Sequence, residues 1–167
     1  MQLISIFIPM ELKDKKEKLK YKQGLKAQCI KLLRERVHTA RQAMEAAQES
    51  ANNEGKSSAG DKYETGRAMS QIDRDRSAGQ MDDAIQEMLR LQSIDADRVY
   101  GEVANGAVVQ CGEAIYFIAT GLGSIIYEEH KVIVLSPKAP LSNLLRGKVK
   151  GDKITFNGKG FEITELF

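Results

Sequence analysis

The chain has no tryptophan among its 167 residues, and only three prolines, two cysteines and two histidines. Each scarcity removes a class of explanation. The prolines stand at positions 9, 137 and 140, so no ring interrupts a helix anywhere between Pro9 and Pro137. Cys29 and Cys111 lie in different segments without CxxC spacing, and they read as reduced thiols of a cytoplasmic protein. His38 and His130 are isolated, so neither a zinc ligand set nor a Cys/His nucleophile can be assembled from the sequence. The apolar stretch Met1 to Pro9 is too short to span a membrane. It also lacks the basic flank and small-residue cleavage pattern of a signal peptide. Residues 1–12 are read as an N-terminal extension, and no membrane partner is expected.

Charge is plentiful but nearly balanced, at +2 overall, which is too little to argue for a nucleic-acid partner by itself. Its distribution is more telling. Residues 1–60 hold 12 Lys/Arg against 7 Asp/Glu, residues 61–100 hold 6 against 9, and residues 101–167 hold 7 against 7. One helical segment is basic and the next acidic. Pairing between the two helices is the simpler reading. Lys31, Arg34 and Arg41 read either as a solvated coiled-coil flank or as a stripe facing a polyanion.

The apolar positions Ile30, Leu33, Val37, Ala40, Met44, Ala47 and Ala51 repeat at spacings of 3, 4, 3, 4, 3 and 4, a heptad seam. Helix one is predicted over about Lys13 to Asn53, with a well-patterned part about 45 Å long. Small seam residues toward its end allow close helix approach. Asn52 to Gly60 is a turn by composition. Helix two is predicted from about Asp61 to Asp97, with apolar positions Ala68, Ile72, Ala78, Met81, Ile85, Met88 and Leu89 and a phase slip near Gly79. Beyond Tyr100-Gly101 the pattern turns β. The runs Val103–Cys111, Ala114–Thr120, Ile125–Tyr127, Lys131–Leu135, Lys153–Phe156 and Phe161–Leu166 are separated by glycines, with one short helix at Leu141–Arg146. The expected fold is α+β: an antiparallel α-helical coiled-coil hairpin over 13–100, then a small antiparallel β-sheet domain over 101–167. The hairpin tip falls near 55–64.

Asp61 and Glu64 stand at that tip. Their spacing is that of a capping box, which satisfies exposed N–H groups at a helix start. The same spacing places two hard oxygen donors on one helix face, where they can share a Mg²⁺ ion. Both readings stay open, because a cap leaves carboxylate oxygen free. Gly121-Leu122-Gly123-Ser124 reads as a turn and not a phosphate cradle. Tyr116, Phe117, Tyr127, Phe156 and Phe161 read as sheet core.

Two segments resemble the Gre family of bacterial transcript cleavage and elongation factors. Gly60-Asp61-Lys62-Tyr63-Glu64 keeps the family's Gly-Asp followed three residues later by Glu. Ala139-Pro140-Leu141-Ser142-Asn143-Leu144-Leu145-Arg146-Gly147-Lys148-Val149-Lys150-Gly151-Asp152 is similar to its Ser-Pro-Leu-…-Leu-Leu-Gly-Lys-…-Gly-Asp stretch. Val103 to Val109 is similar to the family's opening strand of the same domain, and the resemblance covers about residues 25–167. It implies an FKBP-like domain that docks on RNA polymerase at the mouth of its secondary channel. Pro140, Leu141, Leu144, Leu145 and Gly147 would form the polymerase-binding segment. It further implies a hairpin that reaches the active centre, where the RNA 3′ end of a backtracked complex is extruded. Asp61 and Glu64 would there help hold a second Mg²⁺, weakly bound by the factor alone. Lys62, Tyr63, Arg67 and Arg41 would contact RNA or the tip surroundings. The protein would be a monomer that stimulates the polymerase's own nuclease and is not itself an enzyme. After the tip Glu the family continues with Asn, another acid and Tyr, whereas this chain has Thr65, Gly66, Arg67 and Ala68. A channel-binding regulator without cleavage stimulation is therefore the second expectation. An FKBP-like isomerase or chaperone is the third, since a fold does not fix a function.

Overall fold

A computed structural model describes residue 12, residues 14–54 and residues 62–167. The N-terminal extension, but for residue 12, the predicted turn from residue 55 on, and Asp61 lie outside the described residues. The fold is α+β. Two long helices, α1 (Lys15–Glu54) and α2 (Lys62–Gln92), precede six strands with one short helix between them. The strands are β1 (Val108–Cys111), β2 (Ala114–Ile118), β3 (Gly123–Tyr127), β4 (His130–Leu135), β5 (Lys153–Phe156) and β6 (Lys159–Leu166), and α3 (Pro140–Leu145) lies between β4 and β5.

The chain groups into two compact units. The first comprises residues 1–29 and 90–167, and the second residues 30–89. Helix α1 thus contributes its first turns to one unit and the remainder to the other.

In the first unit the sheet order is β3-β4-β2-β1-β6-β5. All neighbours are antiparallel except β2 and β4, which pair in parallel through Ile115↔Val132 to Ile118↔Leu135. Strands β1 and β2 are buried almost throughout because both sheet faces are covered. One face carries Val109, Tyr116 and Ile118 against Leu141 and Leu145 of α3. On the other, Val108 pairs with Phe117 and Phe117 with Val134. There Tyr21 of α1 meets the rings of Tyr127 at 5.0 Å and Phe167 at 6.2 Å, both edge-on. The first turns of α1 thus support the sheet through these ring contacts. Gly24 makes it possible: a Cβ there would lie 1.9 Å from the Tyr127 hydroxyl.

The helix ends are held by side chains. Asp14 Oδ1 accepts from the Glu17 N–H at 2.8 Å and caps α1. Lys26 Nζ donates to the carbonyls of Gln92 at 3.0 Å and Ile94 at 2.6 Å, two acceptors at the C-terminal end of α2. Helix α2 therefore ends at Gln92, five residues before the predicted Asp97. Ile94 and Ala96 are buried, in a turn closed by the Ile94 N–H on the Leu91 carbonyl. The predicted first strand is also shorter. Val103 exchanges bonds with Gly147 and Lys148, and Gly106 adopts φ 95°; Gly106 and Ala107 already bond to Ile118, and the regular ladder with β2 begins at Val108.

In the second unit the α1 seam falls where the heptad spacing puts it: Leu33, Ala40 and Ala51 are buried, and Ile30, Val37, Met44 and Ala47 half-buried. The α2 seam does so in part. Ser77 and Ala84 are buried, and Ser70, Arg74, Met81 and Met88 half-buried, spaced 4, 3, 4, 3 and 4 without a slip at Gly79. Of the predicted positions Ala78, Met81, Ile85 and Met88 are half-buried, whereas Ala68, Ile72 and Leu89 are exposed. The seam includes two serines and an arginine, so hydrophobicity alone locates it only in the second half of the helix. Arg74 holds its place by donating from Nη1 to Gln48 Oε1 on α1 at 3.0 Å.

Candidate functional site

Three groups of predicted residues have different settings. At the start of α2, Glu64 lies exposed in the first helical turn, and Arg67 follows it, also exposed. Residues three apart on a helix share a face, so the carboxylate and the guanidinium are neighbours on one surface. Lys62 and Tyr63 belong to the backbone of the same turn, while their side chains and the whole of Asp61 lie outside what is described. No group of three or more His, Cys, Asp or Glu able to hold a metal occurs among the described residues. Glu64 offers hard oxygen of the kind Mg²⁺ takes, but one or two carboxylates leave most of an octahedral shell to other donors.

On α1, Lys31, Arg34 and Arg41 are all exposed. Their offsets of 3 and 7 keep them in one stripe. His38 is exposed as well, so this stripe keeps its charge in water.

The third group is the turn-helix at 137–149. Pro140 opens α3 at a position that needs no N–H donor. Gly147 turns the chain out of it at φ 72°. Only part of this segment faces outward. Leu141 and Leu145 point into the sheet core, whereas Pro140, Leu144 and Gly147 are exposed. Val149, not singled out from the sequence, is 44% exposed and adds apolar surface to that of Leu144, itself 45% exposed. Burial separates the leucines of α3: Leu141 and Leu145 are buried, and Leu144, offset toward the edge of that face, is exposed.

A cavity of about 250 Å³ lies against this segment. Val103, Ala104, Ile118 and Pro137 give it apolar walls, and Glu102 and Arg146 bring charge to it. Arg146 is oriented by donating from Nη2 to the Pro137 carbonyl at 2.9 Å. Ser142, 2% exposed, also lines the cavity. Its Oγ is buried without a hydrogen-bond partner among the described residues. No sequence signal pointed here, because Glu102, Ser142 and Arg146 come together only through the exchange between Val103 and Gly147–Lys148.

The cysteines play no part in these sites. Both thiols are buried, and burial pushes Cys29 up to about 12 and Cys111 up to about 11. Neither is a nucleophile at neutral pH. Among the described residues no helix is long and apolar enough to cross a membrane. No family model matches the chain, and neither a curated protein nor a solved structure matches it.

Proposed function

We propose that this chain is a cytoplasmic transcription factor of the Gre type, which enters the secondary channel of bacterial RNA polymerase and stimulates cleavage of backtracked RNA. The observation that carries the reading is the exposed acid Glu64 in the first turn of α2. Among the described residues of the second unit, no packing contact calls for a carboxylate there, beyond the favourable field of a helix N-terminus. The helix pair is read as a coiled-coil hairpin because α1 and α2 both carry 3–4 seams. The sheet with α3 is read as FKBP-like, with Pro140, Leu144 and Val149 as its outward docking surface.

In this mechanism the chain is not an enzyme. Leu144 and its neighbours would seat the protein on the polymerase, and the hairpin would position Asp61 and Glu64 at the active centre. A second Mg²⁺ held there would supply Lewis-acid stabilisation and a more acidic attacking water. Glu64 supplies a fixed negative charge and hydrogen-bond acceptors for that water. Arg41 and the basic stripe of α1 supply countercharge for RNA phosphates. A second reading, occupancy of the channel without cleavage, is favoured by Arg67, whose guanidinium shares a helix face with Glu64 and competes for its carboxylate.

The test is a stalled, backtracked polymerase incubated with the protein and Mg²⁺, with RNA length followed on a gel. Shortening that disappears in the D61A/E64A double variant while polymerase binding persists supports cleavage stimulation. Binding without shortening transfers the protein to the second reading, and in that case R67E restores cleavage if Arg67 is the cause. No binding to polymerase overturns both.

A further inference from the structure

We infer that the cavity beside α3 is a binding site for a small zwitterion with an apolar body, of the class of free aliphatic α-amino acids. The inference does not depend on polymerase binding. Five observations converge on this chemistry.

The walls formed by Val103, Ile118 and Pro137 are aliphatic, so the body of the ligand is apolar. The volume of about 250 Å³ lies under the range usual for drug-sized ligands, roughly 300–1,000 Å³. It suits a metabolite the size of valine or leucine. Arg146 has one N–H committed to the Pro137 carbonyl. That bond fixes the plane of the guanidinium at the cavity and leaves further donors for a carboxylate. Glu102 brings the opposite charge to the same cavity, where an ammonium is favoured. A simple acid would meet the Glu102 carboxylate and a simple amine the Arg146 guanidinium, so only a ligand carrying both charges satisfies both. Ser142 adds the buried hydroxyl in the wall, which has no partner among the described residues. A buried hydroxyl left so is costly, and a polar atom of a ligand in the cavity that Ser142 lines would relieve that cost.

The experiment titrates the full-length chain, labelled with ¹⁵N, with L-valine and L-leucine. Isobutylamine and isovalerate serve as probes lacking one charge each. Saturable shifts confined to the amides of 102–106 and 142–148 are expected for the amino acids, with binding at least about tenfold weaker for either comparator. R146Q and E102Q are each expected to weaken amino-acid binding by about tenfold or more with the unfolding midpoint unchanged. Glu102 is an exposed side chain outside every strand and helix, so E102Q remains informative even if R146Q folds poorly. Absence of saturable shifts at tens of millimolar overturns the inference. So does equal binding of the singly charged probes, or binding unchanged in E102Q.

Discussion

At the scale of single residues, the most consequential side chain is Lys22. It is fully buried. Its Nζ donates to the Arg98 carbonyl at 2.6 Å and lies 4.4 Å from the centre of the Tyr100 ring. Burial lowers its pKa to about 8; the Asp95 charge acts against this and Arg98 with it. Between pH 8 and about 10.5 the unfolded chain therefore binds more protons at this site than the folded one, so this group's contribution to stability rises with pH. Below pH 8 both states are protonated and the contribution is flat. Urea titrations of the wild type and K22M should accordingly give a stability difference that moves in favour of the wild type by on the order of 1–3 kcal/mol from pH 8 to 10.5. A difference independent of pH would show that Lys22 keeps an ordinary pKa. Glu165 behaves in the opposite sense. Its partial burial disfavours the charged form, but the hydrogen bonds from Lys18 and the Leu166 N–H, with the charges of Lys18 and Lys150, outweigh burial and hold its pKa down. Its contribution is present at neutral pH and lost in acid.

At the scale of elements, two helical glycines make opposite demands. Gly79 in α2 has open space where a Cβ would stand. G79A should therefore stabilise by about 0.5–1 kcal/mol through helix propensity alone. Gly24 in α1 has the Tyr127 hydroxyl in that space. G24A should destabilise by about 1–2 kcal/mol despite the same propensity gain, since the packed ring must move. In a Y127A background the sign of G24A should revert to stabilising. Thermal or chemical unfolding of the four variants checks both, and a destabilising G79A would mean that α2 is not a regular helix there. The turns follow the same logic of backbone need. Asn157-Gly158 takes positive φ at both positions, as its residue types favour. Glu128-Glu129 does so too, at φ 46° and 66°. Nothing in those two residues advertises it; the pairing of Tyr127 with His130 imposes it.

At the scale of the molecule, the two units differ in what they bury. The unit of residues 1–29 and 90–167 encloses Phe117, Phe167, Leu25, Leu145 and Ile163. Each such side chain is worth roughly 1.5–3 kcal/mol when removed from water. In residues 30–89 the buried positions are Leu33, Ala40, Ala51, Ser77 and Ala84, four of them small. Local opening there exposes little apolar surface. Hydrogen exchange should therefore find the amides of 37–51 and 68–81 exchanging at far lower opening free energy than those of Val109, Phe117 and Val132. Equal protection across both units would contradict this. A loosely held helix pair also suits a segment that would adapt to the walls of a channel, as the proposed function asks of it.

Local sequence pattern was enough for the element order, for every strand except the start of β1 and for the α1 seam. These follow from local periodicity, proline placement and glycine punctuation, which act over a few neighbouring residues. It marked Glu64 as an acid at a helix start for the same reason. The tertiary structure was needed to bring Ser70, Arg74 and Ser77 into the α2 seam, because Ser77 is buried, and Ser70 and Arg74 half-buried, without any hydrophobicity of their own. It also decided that Leu141 and Leu145 serve the core while Leu144 and Val149 face outward. The parallel pairing of β2 with β4 and the meeting of Glu102, Ser142 and Arg146 at one cavity belong to the same kind. Such juxtapositions depend on contacts between distant parts of the chain, and no local pattern encodes them.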